Sequence, residues 1–120
     1  MKVRKSLLVL FVVTLLTIGS LHGYNYYDVN RVKVQRGDCL VKGPGDTGEA
    51  IKQNAELFLY VDNVLTVEKK TEKQIRFYII NVKSGLGFVG LMDNSKFNAN
   101  AKKVNLRFVN CDTMDPIKDF

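Results

Sequence analysis

Apolar and polar side chains alternate with a period of two through much of the chain, most clearly over residues 74–92, QIRFYIINVKSGLGFVGLM. Residues 75–79 alternate β-branched or aromatic side chains with polar ones, a pattern typical of a half-buried strand. Residues 83–87 supply two glycines, which reach positive φ without steric cost, and residues 88–92 resume the apolar pattern. The stretch predicts a β-hairpin at the centre of the chain, with Gly90 marking a bulge or a close backbone approach.

The same pattern predicts further strands on both sides of this hairpin. The glycine-rich stretch Gly43–Gly48 indicates a turn, and Asp62-Asn63 is a two-residue turn signal between apolar runs. No convincing helix follows the N-terminal apolar segment, and the six or seven short strands predict an all-β fold, a small barrel or sandwich. The further predicted strands are residues 31–35, residues 39–42, the hairpin 57–68, and residues 102–109 with Val104, Leu106 and Phe108 facing inward; residues 49–54 are assigned one helical turn and residues 93–100 a polar loop.

The first 23 residues have the pattern of an export segment. A basic start, MKVRK, precedes an apolar run over residues 7–19 that has the length of a signal-peptide core and is short for a membrane span. Cleavage near Gly19 or Gly23 would release the rest of the chain, whereas an uncleaved segment over residues 6–24 would anchor it in the inner membrane. Because the positive charge stays inside, both alternatives predict an extracytoplasmic domain, periplasmic or secreted.

Four regions follow from this division. We expect a signal peptide or anchor at residues 1–23, a tyrosine-rich linker at 24–30, one β domain at 31–111 and an irregular tail at 112–120.

The whole chain carries a net charge of +6, but three of its 18 basic residues lie in the basic start, so the exported part has 15 basic against 12 acidic residues, a net charge of +3. This mild charge, with no basic run interleaved with aromatic residues, argues against a nucleic-acid partner.

The chain has two cysteines, Cys39 and Cys111, near the two ends of the predicted β domain. An even number of cysteines in an oxidising compartment favours a disulfide. A metal pair or a reactive thiol is the alternative, but His22 is the only histidine, and it lies at the edge of the export segment. Two cysteines alone do not complete a tetrahedral zinc site, so we expect neither a metal nor a cofactor.

Several short motifs suggest a chemistry that their surroundings do not support. The glycine-rich stretch lacks the lysine and the following long helix of a phosphate-binding loop. Arg36-Gly37-Asp38 has turn chemistry, and three residues are too short a match to imply an integrin ligand. The predicted domain contains no histidine to act as a base, and strand spacing forces no carboxylate pair together. An enzyme is therefore the weakest hypothesis, with a carboxylate pair assembled by the fold left open.

The order of these elements resembles that of the bacterial SH3-like (SH3b) domains. That family opens with a strand leading into a Gly-Pro-Gly loop, continues with a middle hairpin and ends in two strands separated by a glycine turn. The similarity covers about residues 39–97; both tryptophan positions hold other residues, with Phe88 in the last, and the terminal strand and cysteine pair are additions. The similar stretches are residues 39–45, Ile51, residues 57–67, residues 77–79 and residues 85–89.

The resemblance implies an SH3-like barrel that binds a ligand and performs no catalysis. Exported domains of this kind often target the cell wall or other proteins, and aromatic side chains in them stack on sugar rings or extended peptide. For Phe77 and Phe88 a core position is favoured over ligand contact. The candidate ligand-binding residues are Lys42, Gly43, Gly45, Tyr78 and Phe88.

We therefore expect an exported, non-enzymatic binding module of the cell envelope, with a cell-wall polymer or an envelope protein as its partner. One alternative is a small secreted inhibitor or protein-binding factor, similar to the lysozyme inhibitors. The other is a membrane-tethered accessory subunit. Cleavage of the export segment would favour a diffusible binder, and its retention would favour the tethered subunit. The sequence leaves the oligomeric state open.

Overall fold

The computed structural model describes residues 31–120. The export segment and the linker that we predict for residues 1–30 lie outside the described residues. Within residues 31–120, no helix is long and apolar enough to cross a membrane.

Six strands of the described chain form one antiparallel sheet, which confirms the prediction of a small β-rich fold with about six strands. Because all six described strands belong to a single sheet, the predicted alternative of a two-sheet sandwich is wrong. The strand order is β4-β3-β2-β1-β5-β6, so β4 and β6 lie at its two edges. The elements are β1 Cys39–Lys42, α1 Gly48–Asn54, β2 Leu57–Leu65, β3 Gln74–Asn81, β4 Gly87–Asp93, α2 Asn94–Lys103, β5 Arg107–Val109 and β6 Pro116–Asp119.

One face of this sheet carries the main core. The side chains that alternate inward from β1, β2, β3 and β5 meet Phe97 and Ala101 of α2 on this face. The Phe77 ring is in edge-to-face contact with the Phe97 ring, with the centroids 5.5 Å apart. The buried members of the main core are Val34, Leu40, Leu59, Val61, Ile75, Phe77, Phe97, Ala101, Leu106 and Phe108.

The opposite face of the sheet has a smaller core, confined to the region of β1. Val41 and Val109 of the sheet pack there with Ile51 of α1 and with Met114. The side chain of Thr47 caps α1 by accepting a hydrogen bond from the Ala50 N–H at 3.2 Å. Because α1 has only seven residues, its cover is local.

The polar loop predicted for residues 93–100 is wrong, because these residues belong mostly to α2. The buried positions of α2 are Asn94, Phe97, Asn98 and Ala101, which have the i, i+3, i+4, i+7 spacing of one helix face. Only one of the four is a large apolar residue. The helical period is therefore hidden in a stretch that has a polar composition.

Polar contacts fix the junction between β4 and α2. The Ser95 N–H and hydroxyl donate to the Glu72 carboxylate at 2.7 and 3.2 Å. The Gln74 amide donates to Asp93 Oδ1 at 2.8 Å. This hydrogen bond is the main reason that the pKa of Asp93 lies below its ordinary value of 3.8, and the Lys70 ammonium 3.4 Å away lowers it further. Desolvation of the carboxylate raises the pKa, but by less than the Gln74 hydrogen bond lowers it. The start of α2 is thus held by a neighbouring loop and strand.

The hairpin predicted over residues 57–68 is also wrong. Its predicted turn, Asp62-Asn63, lies inside β2, where the pairing with β3 shifts between Val61 and Asn63. The Asp62 carboxylate lies 3.4 Å from Arg76 Nε, and Asn63 Oδ1 accepts a hydrogen bond from the Val64 N–H at 2.9 Å. The turn-forming residues therefore make a β-bulge in one long strand.

The two ends of the domain differ from their predictions as well. Residues 31–35 form no strand, although Val34 is buried. The strand predicted over residues 102–109 is only β5, because α2 continues to Lys103 and Asn105 turns the chain with a φ of 61°. Leu106 and Phe108 are buried as predicted, whereas Val104 is only partly buried against the main core.

The predicted irregular tail is wrong because it contains β6. Pro116 begins this edge strand, a position where a residue without an N–H is tolerated. The following Phe120 stacks on Phe108, with ring centroids 5.7 Å apart and planes 7° from parallel. The C-terminal residues therefore extend the sheet and its main core.

Candidate functional site

The predicted disulfide between Cys39 and Cys111 is confirmed, with an S–S distance of 2.06 Å and a Cα–Cα distance of 5.4 Å. It joins β1 to the turn that precedes β6. In that turn the Asn110 side-chain oxygen accepts hydrogen bonds from the N–H groups of Asp112 and Thr113 at 2.8 and 2.9 Å. Bridge and turn together fix Met114 over the smaller core.

A groove of about 420 Å³ borders this turn on the sheet face that carries the smaller core. Its floor comes from β2 and β3, and its side comes from α1, the disulfide and the turn before β6. We call it the tyrosine groove. Its characteristic side chains are Phe58, Tyr60, Tyr78, Ile80, Met114, Lys52 and Asp112, together with the bridge Cys39–Cys111.

Two tyrosines form the centre of the floor. Tyr60 of β2 lies directly opposite Tyr78 of β3 in the register, so both side chains project from the same face. Their rings are 6.4 Å apart between centroids and 22° from parallel. Tyr60 is 42% exposed, Tyr78 41% and the neighbouring Ile80 47%. Large apolar surface is therefore accessible in a concave part of the sheet.

Charged groups of both signs lie at the side of the groove. Lys52 is in the last turn of α1, and Asp112 is in the turn that the disulfide holds. Over residues 31–120, no group of three or more His, Cys, Asp or Glu side chains is arranged to hold a metal ion. The arrangement has the character of a binding site, with an apolar floor and a few polar groups that can orient a ligand.

The predicted ligand-binding residues lie in three different places. Tyr78 is in the tyrosine groove. Phe88 lies opposite Ile79 in the register, and both line a second apolar groove of about 300 Å³ on the main-core side, beside α2. Phe77 is buried as expected, but the core position favoured for Phe88 is wrong, since its side chain is 66% exposed. The edge strand β4 places Phe88 at the margin of the core that α2 covers.

Of the other three predicted residues, Lys42 ends β1, and Gly43 and Gly45 belong to the loop that follows it. None of the three lines the tyrosine groove. Arg107 of β5 donates from Nη1 to the Gly43 carbonyl at 3.0 Å and from Nη2 to the Gly45 carbonyl at 2.9 Å. Lys42 Nζ lies 3.3 Å from a Glu56 carboxylate oxygen. The loop has a clear structural role, and ligand binding by Lys42, Gly43 and Gly45 stays a prediction.

The Arg107 contacts give a testable expectation for this loop. Arg107→Ala should lower the free energy of unfolding by about 1–3 kcal/mol, because two carbonyls lose a charged donor that is largely shielded from water. Arg107→Lys should recover only a minor part, since an ammonium cannot reproduce the planar fork that spans both carbonyls. Urea unfolding of the three proteins measures this, and a lysine variant as stable as the wild type would contradict the fork geometry.

Sequence reasoning missed Tyr60, Lys52 and Met114 as neighbours of Tyr78. Tyr60 and Tyr78 both occupy outward positions of strands whose buried positions are apolar, which is a usable signal. The predicted hairpin at residues 57–68 hid this signal. A turn at Asp62-Asn63 would pair the two halves of β2 with each other, whereas the structure pairs β2 with β3.

Comparisons with protein-family models, with curated proteins and with solved structures found no match to this chain.

Proposed function

We propose that the protein is an exported, non-enzymatic binding module of the cell envelope, and that the tyrosine groove binds an apolar segment of an envelope protein. The observation that carries this proposal is the exposed Tyr60–Tyr78 pair on the floor of a concave, apolar groove. Tyrosine is common at binding surfaces because its ring buries apolar area while its hydroxyl remains hydrogen-bonded at the rim.

An extracytoplasmic location is supported by two independent features. The Cys39–Cys111 bridge is the kind of bond that persists in oxidising compartments. The apolar run after the basic N-terminus has the pattern of an export signal or anchor. The secreted binding factor and the tethered accessory subunit share this location and differ only in the fate of that segment.

The lining of the groove favours a protein partner over a wall polymer. Phe58, Ile80 and Met114 add aromatic, aliphatic and thioether surface to the two tyrosines. A wall glycan presents many hydroxyl groups, which need hydrogen-bond partners that such a surface supplies poorly. Methionine adapts its shape to an irregular apolar partner, and Lys52 and Asp112 can orient the polar backbone or charged side chains beside it. The resemblance to SH3-like domains, itself a proposal, agrees with peptide binding.

The experiment compares the full, oxidised chain with a Tyr60→Ala/Tyr78→Ala variant in pull-downs from the envelope fraction. Both side chains are substantially exposed, so the variant should stay folded, and two interface tyrosines should together account for a loss of retention on the order of 10- to 100-fold. Ile117→Ala is the matched control, because Ile117 is a 64% exposed apolar residue outside the groove.

Co-sedimentation with purified cell-wall sacculi runs in parallel and separates the two classes of partner. Retention of an envelope protein that needs the tyrosines, without retention on sacculi, supports the proposal. Salt-resistant retention on sacculi that needs the same tyrosines would replace the protein partner by a wall polymer. Equal retention of the wild type and the double variant would exclude the tyrosine groove as the binding site.

A further inference from the structure

The edge strand β4 lacks most of the features that usually protect a sheet edge. It is seven residues long and contains no proline, lysine or arginine, and its register with β3 is continuous over the whole strand. Phe88, Val89 and Leu91 are 66%, 52% and 56% exposed. Within residues 31–120, β3 is the only strand that pairs with β4. A long, regular and apolar edge of this kind is a template for another strand.

The opposite edge of the same sheet is protected in four ways. β6 has four residues, begins with Pro116 and carries Lys118. Its pairing with β5 shifts between Phe108 and Val109, which bends the edge. The contrast between the two edges singles out β4 as the one suited to pairing.

The hydrogen-bonding pattern of the β3–β4 hairpin shows which backbone groups of β4 face outward. The Asn81 N–H donates to the Leu86 carbonyl at 2.8 Å, which makes these two residues a hydrogen-bonded pair. Such pairs alternate along an antiparallel ladder, so Phe88, Gly90 and Met92 bond to β3. The N–H and C=O groups of Val89 and Leu91 consequently point away from the sheet.

We propose that a second copy of the chain pairs with β4 in antiparallel orientation, about a two-fold axis that passes between the Gly90 residues of the two copies. In this register Val89 lies opposite Leu91 of the second copy, so every outward backbone group of these residues meets a partner. The register also overlaps the whole of β4 with itself. This interface uses the edge of β4 and no residue of the tyrosine groove.

The side chains of this register are compatible on both faces of the joined sheet. On the face of the sheet that carries Tyr78, Val89 of each copy lies beside Leu91 of the other, so exposed apolar side chains come together. On the other face, Phe88 lies opposite Met92 of the second copy, a favourable contact between sulfur and an aromatic ring. Asp93, the only charged residue of β4, lies opposite Gly87 and stays at the end of the pairing. The interface therefore buries apolar surface and no like-charged pair.

Sedimentation velocity of the full, oxidised chain in a mild detergent tests the proposal. We expect a reversible dimer at micromolar concentrations, and Val89→Lys should weaken it at least tenfold because it places a charge on the edge. Ile117→Lys, which makes the same kind of change at an exposed site on β6, should leave the dimer intact. A wild-type monomer at 100-fold higher concentration, or equal effects of the two substitutions, would overturn the proposal.

A mixture of two variants tests the register itself. Val89→Lys and Leu91→Glu should each dissociate the dimer alone, while an equimolar mixture should form a heterodimer in which the introduced lysine of one copy faces the introduced glutamate of the other. Restoration in the mixture supports the two-fold axis at Gly90. Failure of the mixture to associate, with both variants folded by circular dichroism, would overturn this register.

Discussion

Loss of the Cys39–Cys111 bridge is expected to lower the free energy of unfolding by about 4 kcal/mol. The bridge closes a loop with a sequence separation of 72, and a loop of this length restricts the unfolded chain strongly in the chain-entropy model. It also fixes the turn at Asn110–Asp115 against β1. For a domain of this size the loss corresponds to a fall in Tm of roughly 15–30 °C, measurable by calorimetry of Cys39→Ser.

A reducing agent supplies the control for this prediction. It should lower the Tm of the wild type to about that of Cys39→Ser and should leave the Tm of Cys39→Ser unchanged. A wild type whose Tm is insensitive to reductant, after complete reduction is verified by thiol titration, would contradict the assigned role of the bridge.

Phe77→Ala should lower the free energy of unfolding by about 3–5 kcal/mol, the usual cost of removing a buried aromatic ring. Phe77 is 5% exposed, and its ring contacts Phe97 of α2. A Cβ atom at Gly90 would collide with the Phe77 ring, so the glycine makes the space that the ring fills. The variant therefore loses the contact between β3 and α2 and leaves a cavity next to Gly90.

Phe88→Ala is the matched control, because it is the same substitution on the same face of the neighbouring strand. Phe88 is 66% exposed, so its truncation should change the free energy of unfolding by less than about 1 kcal/mol. Urea unfolding of both variants, at a protein concentration low enough to keep the chain monomeric, gives the comparison. Equal losses would contradict the placement of Phe77 in the core and of Phe88 at its margin.

The strands that are predictable from sequence are those in which the apolar alternation decides the structure. The stretch over residues 75–79 alternates because β3 is buried on one face only, and Cys39–Lys42 forms β1 as predicted. The disulfide follows from the cysteine count and the export pattern. Gly90 is predicted to mark a bulge or a close backbone approach; there is no bulge, and the close neighbour is the Phe77 ring.

The remaining elements depend on contacts that are distant in sequence. Asp62-Asn63 has turn chemistry, but β2 continues through it because β3 pairs on both sides of the bulge. Phe97 carries most of the apolar surface of α2, whose buried face is otherwise small or polar, and the helix is held partly by the contact of Ser95 with Glu72. Local propensity therefore gives the wrong element wherever tertiary contacts decide it.

The candidate site is likewise only partly predictable from sequence, because some of its residues depend on contacts that are distant in sequence. Tyr78 is identifiable from its outward position on β3, but its partner Tyr60 depends on the register between β2 and β3. The loop residues Gly43 and Gly45 are candidates through a family resemblance, and their carbonyls hydrogen-bond Arg107, which is distant in sequence. Turn glycines and ligand-binding glycines have the same sequence signal, and only their contacts distinguish them.

The most direct test of the proposed binding role is site-specific photocrosslinking in cells. A benzophenone amino acid placed at position 78 of the full chain should crosslink to one defined envelope protein, and the yield should fall strongly when Tyr60→Ala is added in the same chain. The same group at position 117 should give no such product. A product of equal yield from positions 78 and 117, or no protein product from position 78 in intact cells, would contradict a protein partner in the tyrosine groove.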